Sequence, residues 1–140
     1  MKLHALFLLS LIGVGCSPQA TPNAAAPDPE IVSKLEEIIA LEERAVKEQQ
    51  LLAELGTNDA IDQLHAEIAL SEARIRLAEE QNDRATITRE LEAIVSQTKS
   101  ILDRAQALTE EGRRSDSDRK DVRIALLEAE IRLRRHRAQD

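Results

Sequence analysis

The chain holds few residues suited to chemistry: one cysteine, Cys16, and three histidines in 140 residues. A metal site needs His, Cys or carboxylates repeated at short, fixed spacing. His65 and His136 are not spaced that way with each other or with Cys16. Neighbouring carboxylates recur, for instance Glu36 with Glu37 and Glu42 with Glu43. Acid–base catalysis needs a carboxylate tuned by an apolar pocket, whereas runs of this kind on a helix form a solvated face. No glycine-rich phosphate loop or nucleophile motif occurs. The expectation is a non-enzymatic protein with no metal, no cofactor and no small-molecule substrate. Arg132, Arg134, Arg135, His136 and Arg137 form one dense basic cluster. On a helix it would face the negative end of the dipole. It is also a candidate contact for an anionic envelope surface, such as lipid headgroups or wall polymer.

Cys16 draws its meaning from what surrounds it. Lys2 and the apolar run LHALFLLSLIGV make a basic and then a hydrophobic segment, too short to span a bilayer and arranged as a signal peptide. The run ends in Gly13, Val14, Gly15 and Cys16, which resembles the lipobox of bacterial lipoproteins, although Leu is favoured where Gly13 stands. That resemblance implies acylation of Cys16 and cleavage before it. Several acyl chains would anchor the protein firmly where one gives marginal binding. In enteric lipoproteins an Asp after the cysteine retains the protein at the inner membrane. Ser17 stands there, so the resemblance points to the outer membrane, facing the periplasm. Residues 17–29, SPQATPNAAAPDP, contain all four prolines and read as a tether. Fully extended, it would reach roughly 40 Å at about 3.1 Å per residue.

The elements that follow are read from a repeat. ALSEARIRL, from Ala69 to Leu77, returns 56 residues later as ALLEAEIRL, from Ala125 to Leu133. Extended without a gap, the offset pairs Leu35 to Arg84 with Leu91 to Asp140, and sixteen of the fifty pairs are identical. Gly56 falls on Gly112, and no other glycine follows Gly15. Asp28, Pro29 and Glu30 open the first helix with a cap, a proline at the first position and an acid at the positive pole. The stripe 31, 35, 38, 42, 45, 49, 52, apolar except at Glu42 and Gln49, recurs as 87, 91, 94, 98, 101, 105, 108, apolar except at Thr98, a coiled-coil-like seam that is cleaner in the second copy. Each glycine would end a helix in the left-handed conformation. Asp59 with Asp62, and Ser115 with Asp118, then resemble capping boxes. The returning helices carry wide apolar faces: Ile61, Leu64, Ile68 and Ile75 in one copy, and Ile124, Leu127 and Ile131 in the other, each beside a second flank. Such a face touches two neighbours and favours a bundle.

At the glycine turns the sequence resembles the helical-hairpin tips of TolC-type outer-membrane efflux proteins. In those tips a glycine is followed by a small cap at the third position, an acid at the sixth and a small residue near the tenth. Gly56, Asp59, Asp62 and Ala66 match all four, and Gly112, Ser115 and Asp118 match three, with Val122 at the last. The resemblance implies contact with a pump adaptor through these turns. It covers the hairpins alone, because the chain has no alternating strands for a membrane barrel.

Composition sets the remaining bounds. Nearly a third of the residues are charged, the net charge is −7, and the sole aromatic, Phe7, belongs to the leader. Acidity and the lack of stacking rings exclude a general nucleic-acid binder. The expected organisation is a lipoprotein signal peptide at 1–15, an acylated cysteine and tether at 16–29, and hairpin repeats at 30–84 and 85–140. The expected fold is all-α: two tandem antiparallel, coiled-coil-like hairpins, forming either a compact four-helix bundle or an extended three-helix rod. The rod requires one continuous helix from Asp59 to Glu111, through a junction at 79–89 that holds no Gly or Pro. The expected function is an envelope-anchored interaction or structural module, binding the membrane through its lipid and a helical protein or its own copies. An efflux accessory using Gly56, Asp59, Asp62, Gly112, Ser115 and Asp118 is the alternative. Arg132, Arg134, Arg135 and Arg137 are the candidate anionic-surface contacts.

Overall fold

A computed structural model of the protein describes residues 26–56 and 59–139. The leader and Cys16 lie outside the described residues, as does the tether up to residue 25.

Helix α1 runs Pro29–Glu54. The Asp28 carboxylate accepts hydrogen bonds from the amides of Glu30 and Ile31, at 2.8 and 3.4 Å. These satisfy donors that the first turn cannot pair internally. Helix α2 runs Ala60–Glu80, α3 runs Arg84–Glu110, and α4 runs Asp116–Arg137. Moving α1 and α2 forward by 56 residues gives 85–110 and 116–136, within one residue of α3 and α4 at every end. The duplication in sequence is therefore a duplication in structure.

A left-handed residue follows each of the first three helices. Gly56 and Gly112 have φ of 70° and 72°, and Asn82 has φ of 55°. Each sits just past a helix, where a left-handed residue lets the next amides turn back onto unpaired carbonyls. After α2 the Asn82 amide donates to Glu79 O at 3.2 Å and the Asp83 amide to Ala78 O at 2.8 Å. After α3 the Gly112 amide donates to Thr109 O and the Arg113 amide to Leu108 O, in the same two-bond pattern. Asn is among the few non-glycine residues that visit this region routinely. Asp83 then caps α3, accepting from the Thr86 amide at 3.1 Å. The continuous helix of the rod is thus broken at Gln81–Asp83, and the chain forms the four-helix bundle of two antiparallel hairpins. A proline or glycine was unnecessary because Asn82 and Asp83 supply both the left-handed turn and the cap.

The helices pack in chain order, α1 on α2, α2 on α3 and α3 on α4. The inner pair consequently holds most of the core. In α3 the stripe Ile87, Leu91, Ile94, Thr98, Ile101 and Ala105 is wholly buried. Its members Ile87, Leu91 and Ile94 form one cluster with Ile75 and Ala78 of α2, with Ile68 and, from α4, Ala129 and Leu133 packed around. The Thr98 hydroxyl donates to Ile94 O at 2.8 Å, so the polar member of the stripe is satisfied in place. In α1 and α4 only Val46 and Leu126 are buried. Each fully buried aliphatic side chain contributes about 1.5–3 kcal/mol, so stability is concentrated between α2 and α3.

Candidate interaction surfaces

Because successive helices are antiparallel, the ends of the bundle differ. The α1 N-terminus meets the end of α2, where the Asp28 amide donates to Glu80 Oε1 at 3.0 Å. The α3 N-terminus meets the end of α4, where Arg84 Nη2 donates to His136 O at 3.2 Å. One pole therefore carries the start of α1, the Asn82 turn and the basic end of α4. The opposite pole carries both glycine turns, about 39 Å away along α1 at 1.5 Å for each of its 26 residues.

At the glycine pole, a Cβ built on Gly56 or Gly112 would meet nothing within 4 Å. Both turns stand open. Asp59 caps α2 through the Ile61 amide at 3.2 Å and also lies 3.5 Å from Arg104 Nε of α3. That pair fastens the first turn to the second hairpin. Ser115 and Asp118 form a reciprocal capping box, at 3.2 Å from the Asp118 amide to Ser115 Oγ and 3.4 Å from the Ser115 amide to Asp118 Oδ2. Asp62 and Asp118 are exposed beside them. The structure thus groups all six turn residues named from the sequence at one end.

At the basic pole the four arginines divide. Arg132 pairs with Glu72 of α2 and Arg137 with Glu92 of α3. Arg134 and Arg135 are exposed, and their side chains make no ion pair among the described residues. The outward charge of this pole therefore rests on the latter two. Asp83 lies at the same pole with its carboxyl held below the usual 3.8, first by hydrogen bonding with the Thr86 side chain and then with its amide.

Between the poles, α2 and α4 form the walls of an open groove of about 470 Å³ whose floor is α3. Ile68, Leu91, Ile94, Ile101 and Ala129 make it mainly apolar, and Glu72 and Arg132 close across it. No group of three or more His, Cys, Asp or Glu capable of holding a metal occurs among the described residues. Within them no helix is long and apolar enough to cross a membrane. Two features escaped sequence reasoning. Glu90 is buried in α3, with its carboxylate 3.0 Å from Arg89 Nη2. The outer helices also retain exposed large apolar residues, Ile31, Leu41 and Leu51 on α1, with Leu55 just past its end, and Ile124, Leu127 and Ile131 on α4. The sequence signal for the second feature was present in the wide faces of the returning helices.

No family model, curated protein or solved structure matches the chain.

Proposed function

We propose that this protein is a lipoprotein of the bacterial envelope, anchored through Cys16 and acting without catalysis as a helical interaction module, at the outer membrane and facing the periplasm. The observation that carries the reading is the polarity of the bundle. The tether joins α1 at the pole where Arg134 and Arg135 are exposed, and the glycine turns stand at the other. An acyl anchor on that side brings the two arginines toward anionic headgroups, where each basic residue adds about 1 kcal/mol. It also presents Gly56 to Asp62 and Gly112 to Asp118 away from the membrane, available to a protein partner.

A second reading, an accessory of a TolC-like efflux system, draws on the same open glycine pole and its likeness to the family's hairpin tips. Pull-down from crosslinked envelopes separates the two: recovery of duct or adaptor subunits favours the accessory. Cys16→Ser is expected to abolish acyl labelling and release the chain from membranes. Continued labelling overturns the lipoprotein reading. Arg134→Gln, Arg135→Gln and Arg137→Gln together are expected to weaken envelope retention of the non-acylated form, and unchanged retention removes the headgroup contact.

A further inference from the structure

The exposed apolar residues of the outer helices occupy the positions by which the inner helices meet. In α2 the stripe Ile68, Ser71, Ile75 and Ala78 turns toward α3. Adding 56 to the first three gives Ile124, Leu127 and Ile131, the exposed apolar residues of α4. Ile75 is 0% exposed and its counterpart Ile131 is 49% exposed. The same holds in the other direction. In α3, Ile87 packs in the core with α2, and Gln97 Nε2 donates to Glu67 of α2 at 3.4 Å. Their counterparts on α1 are Ile31 and Leu41, both exposed; Ile87 is 8% exposed and Ile31 is 45%. Each end of the bundle is thus one half of the α2–α3 joint without the other half.

We propose that copies of this chain associate head to tail, with α4 of one copy seated on α1 of the next as α2 is seated on α3. The occupant of each open face is a second copy of this chain because the two faces are counterparts of a joint the chain already makes. Charge agrees: α1 carries seven acidic and three basic residues, whereas α4 carries five acidic and seven basic. Such a contact is heterologous and leaves an open face at either end, so it continues beyond a dimer. It also keeps every copy in the same orientation, since α1 and α3 run parallel. Every glycine pole then points one way, as anchorage in a single membrane requires. The inference deepens the interaction-module reading and rests on it for the partner's identity, but the contact itself does not depend on acylation.

The test uses the full chain with Cys16→Ser, so that engineered thiols are the only ones. Leu41→Cys and Arg123→Cys place thiols at the counterparts of Gln97 and Glu67. With a short bismaleimide, the double variant is expected to give a ladder of dimers, trimers and larger species, a mixture of the two single variants dimers only, and each single variant alone monomer. Dimers from a single variant, indicating a symmetric contact, overturn the proposal, as does the absence of any adduct in the double variant. Adding Leu127→Glu, at an exposed site, is expected to abolish the ladder with helical circular dichroism unchanged. A ladder that survives it comes from random collision and also overturns the proposal. Acyl labelling of the unaltered chain is read separately, so failure here and failure of the lipoprotein reading remain distinct.

Discussion

Ile75→Ala and Ile131→Ala are the same substitution at equivalent places in the two hairpins, yet the structure gives them different costs. Ile75 is fully buried between α2 and α3. Shortening it removes three carbons from the core, worth about 2 kcal/mol of transfer free energy at roughly 0.8 kcal/mol per buried carbon. The cavity left behind raises the total to about 3–4 kcal/mol. Ile131 is half exposed and leaves no enclosed cavity, so the same change costs about 1 kcal/mol or less. Urea titration followed by circular dichroism reads both, with the slope of the transition reporting whether unfolding remains two-state. In a domain of about 110 residues, each 1 kcal/mol moves the thermal midpoint by about 4–8 °C. The titrations belong at the lowest workable protein concentration, because self-association would raise the apparent stability of the parent above that of Ile131→Ala. Equal losses at the two sites would refute the assignment of α2 and α3 as the inner pair.

Gly56→Ala and Gly112→Ala should each cost about 1 kcal/mol, because a Cβ meets open space and only the positive φ is penalised. Asn82→Gly should leave stability within about 0.5 kcal/mol of the parent and Asn82→Val should cost more than 1 kcal/mol, measured by the same titration. The depressed pKa of Asp83 means that its carboxylate supports the fold above the usual value of 3.8, and that this support is lost as pH falls through the lower folded value. Asp83→Asn should therefore flatten the stability profile in that acid range, and an unchanged slope would count against the Thr86 hydrogen bonds. Arg89→Gln removes the partner of buried Glu90 and should cost about 1–2 kcal/mol; adding Glu90→Gln should recover part of it in a double-mutant cycle.

The repeat made much of the architecture legible, because helix length and turn position are encoded locally. Asp28 with Pro29, and the glycines at an interval of 56, mark helix ends in the chain itself. So does the stripe from Ile87 to Ala105, which is the buried face of α3. The third turn was harder to read since Asn82 tolerates the left-handed conformation without requiring it. Burial of individual positions was less legible again. Ile75 and Ile131 sit in nearly identical sequence, IRL in both copies, yet one is sealed and the other open. What separates them is whether another helix follows, a property of place in the array rather than of neighbouring residues. Glu90 has the same origin. Its counterpart Lys34 lies exposed on an outer helix, and only the inner position encloses the acid. For the interaction surfaces, turn chemistry identified the glycine residues one by one. Their gathering at one pole, and the pairing of Arg132 with Glu72 and of Arg137 with Glu92 on neighbouring helices, required the packing order.

Within the first hairpin, Arg74 Nη2 of α2 lies 3.1 Å from the Glu43 carboxylate of α1. The counterparts of Glu43 and Arg74 in the second hairpin are Lys99 and Glu130, so the charges are reversed. A duplicated chain risks misfolding by exchange, with α1 taking α4 as its hairpin partner and α3 taking α2 by the wrong face. Exchange would set Glu43 against Glu130 and Arg74 against Lys99. Surface pairs of this kind are worth up to about 1 kcal/mol each, and two repulsions in place of the one Glu43–Arg74 attraction bias the correct pairing by roughly 1–2 kcal/mol. The reversed charges thus let each helix distinguish its own partner from that partner's near-copy while the chain is still folding.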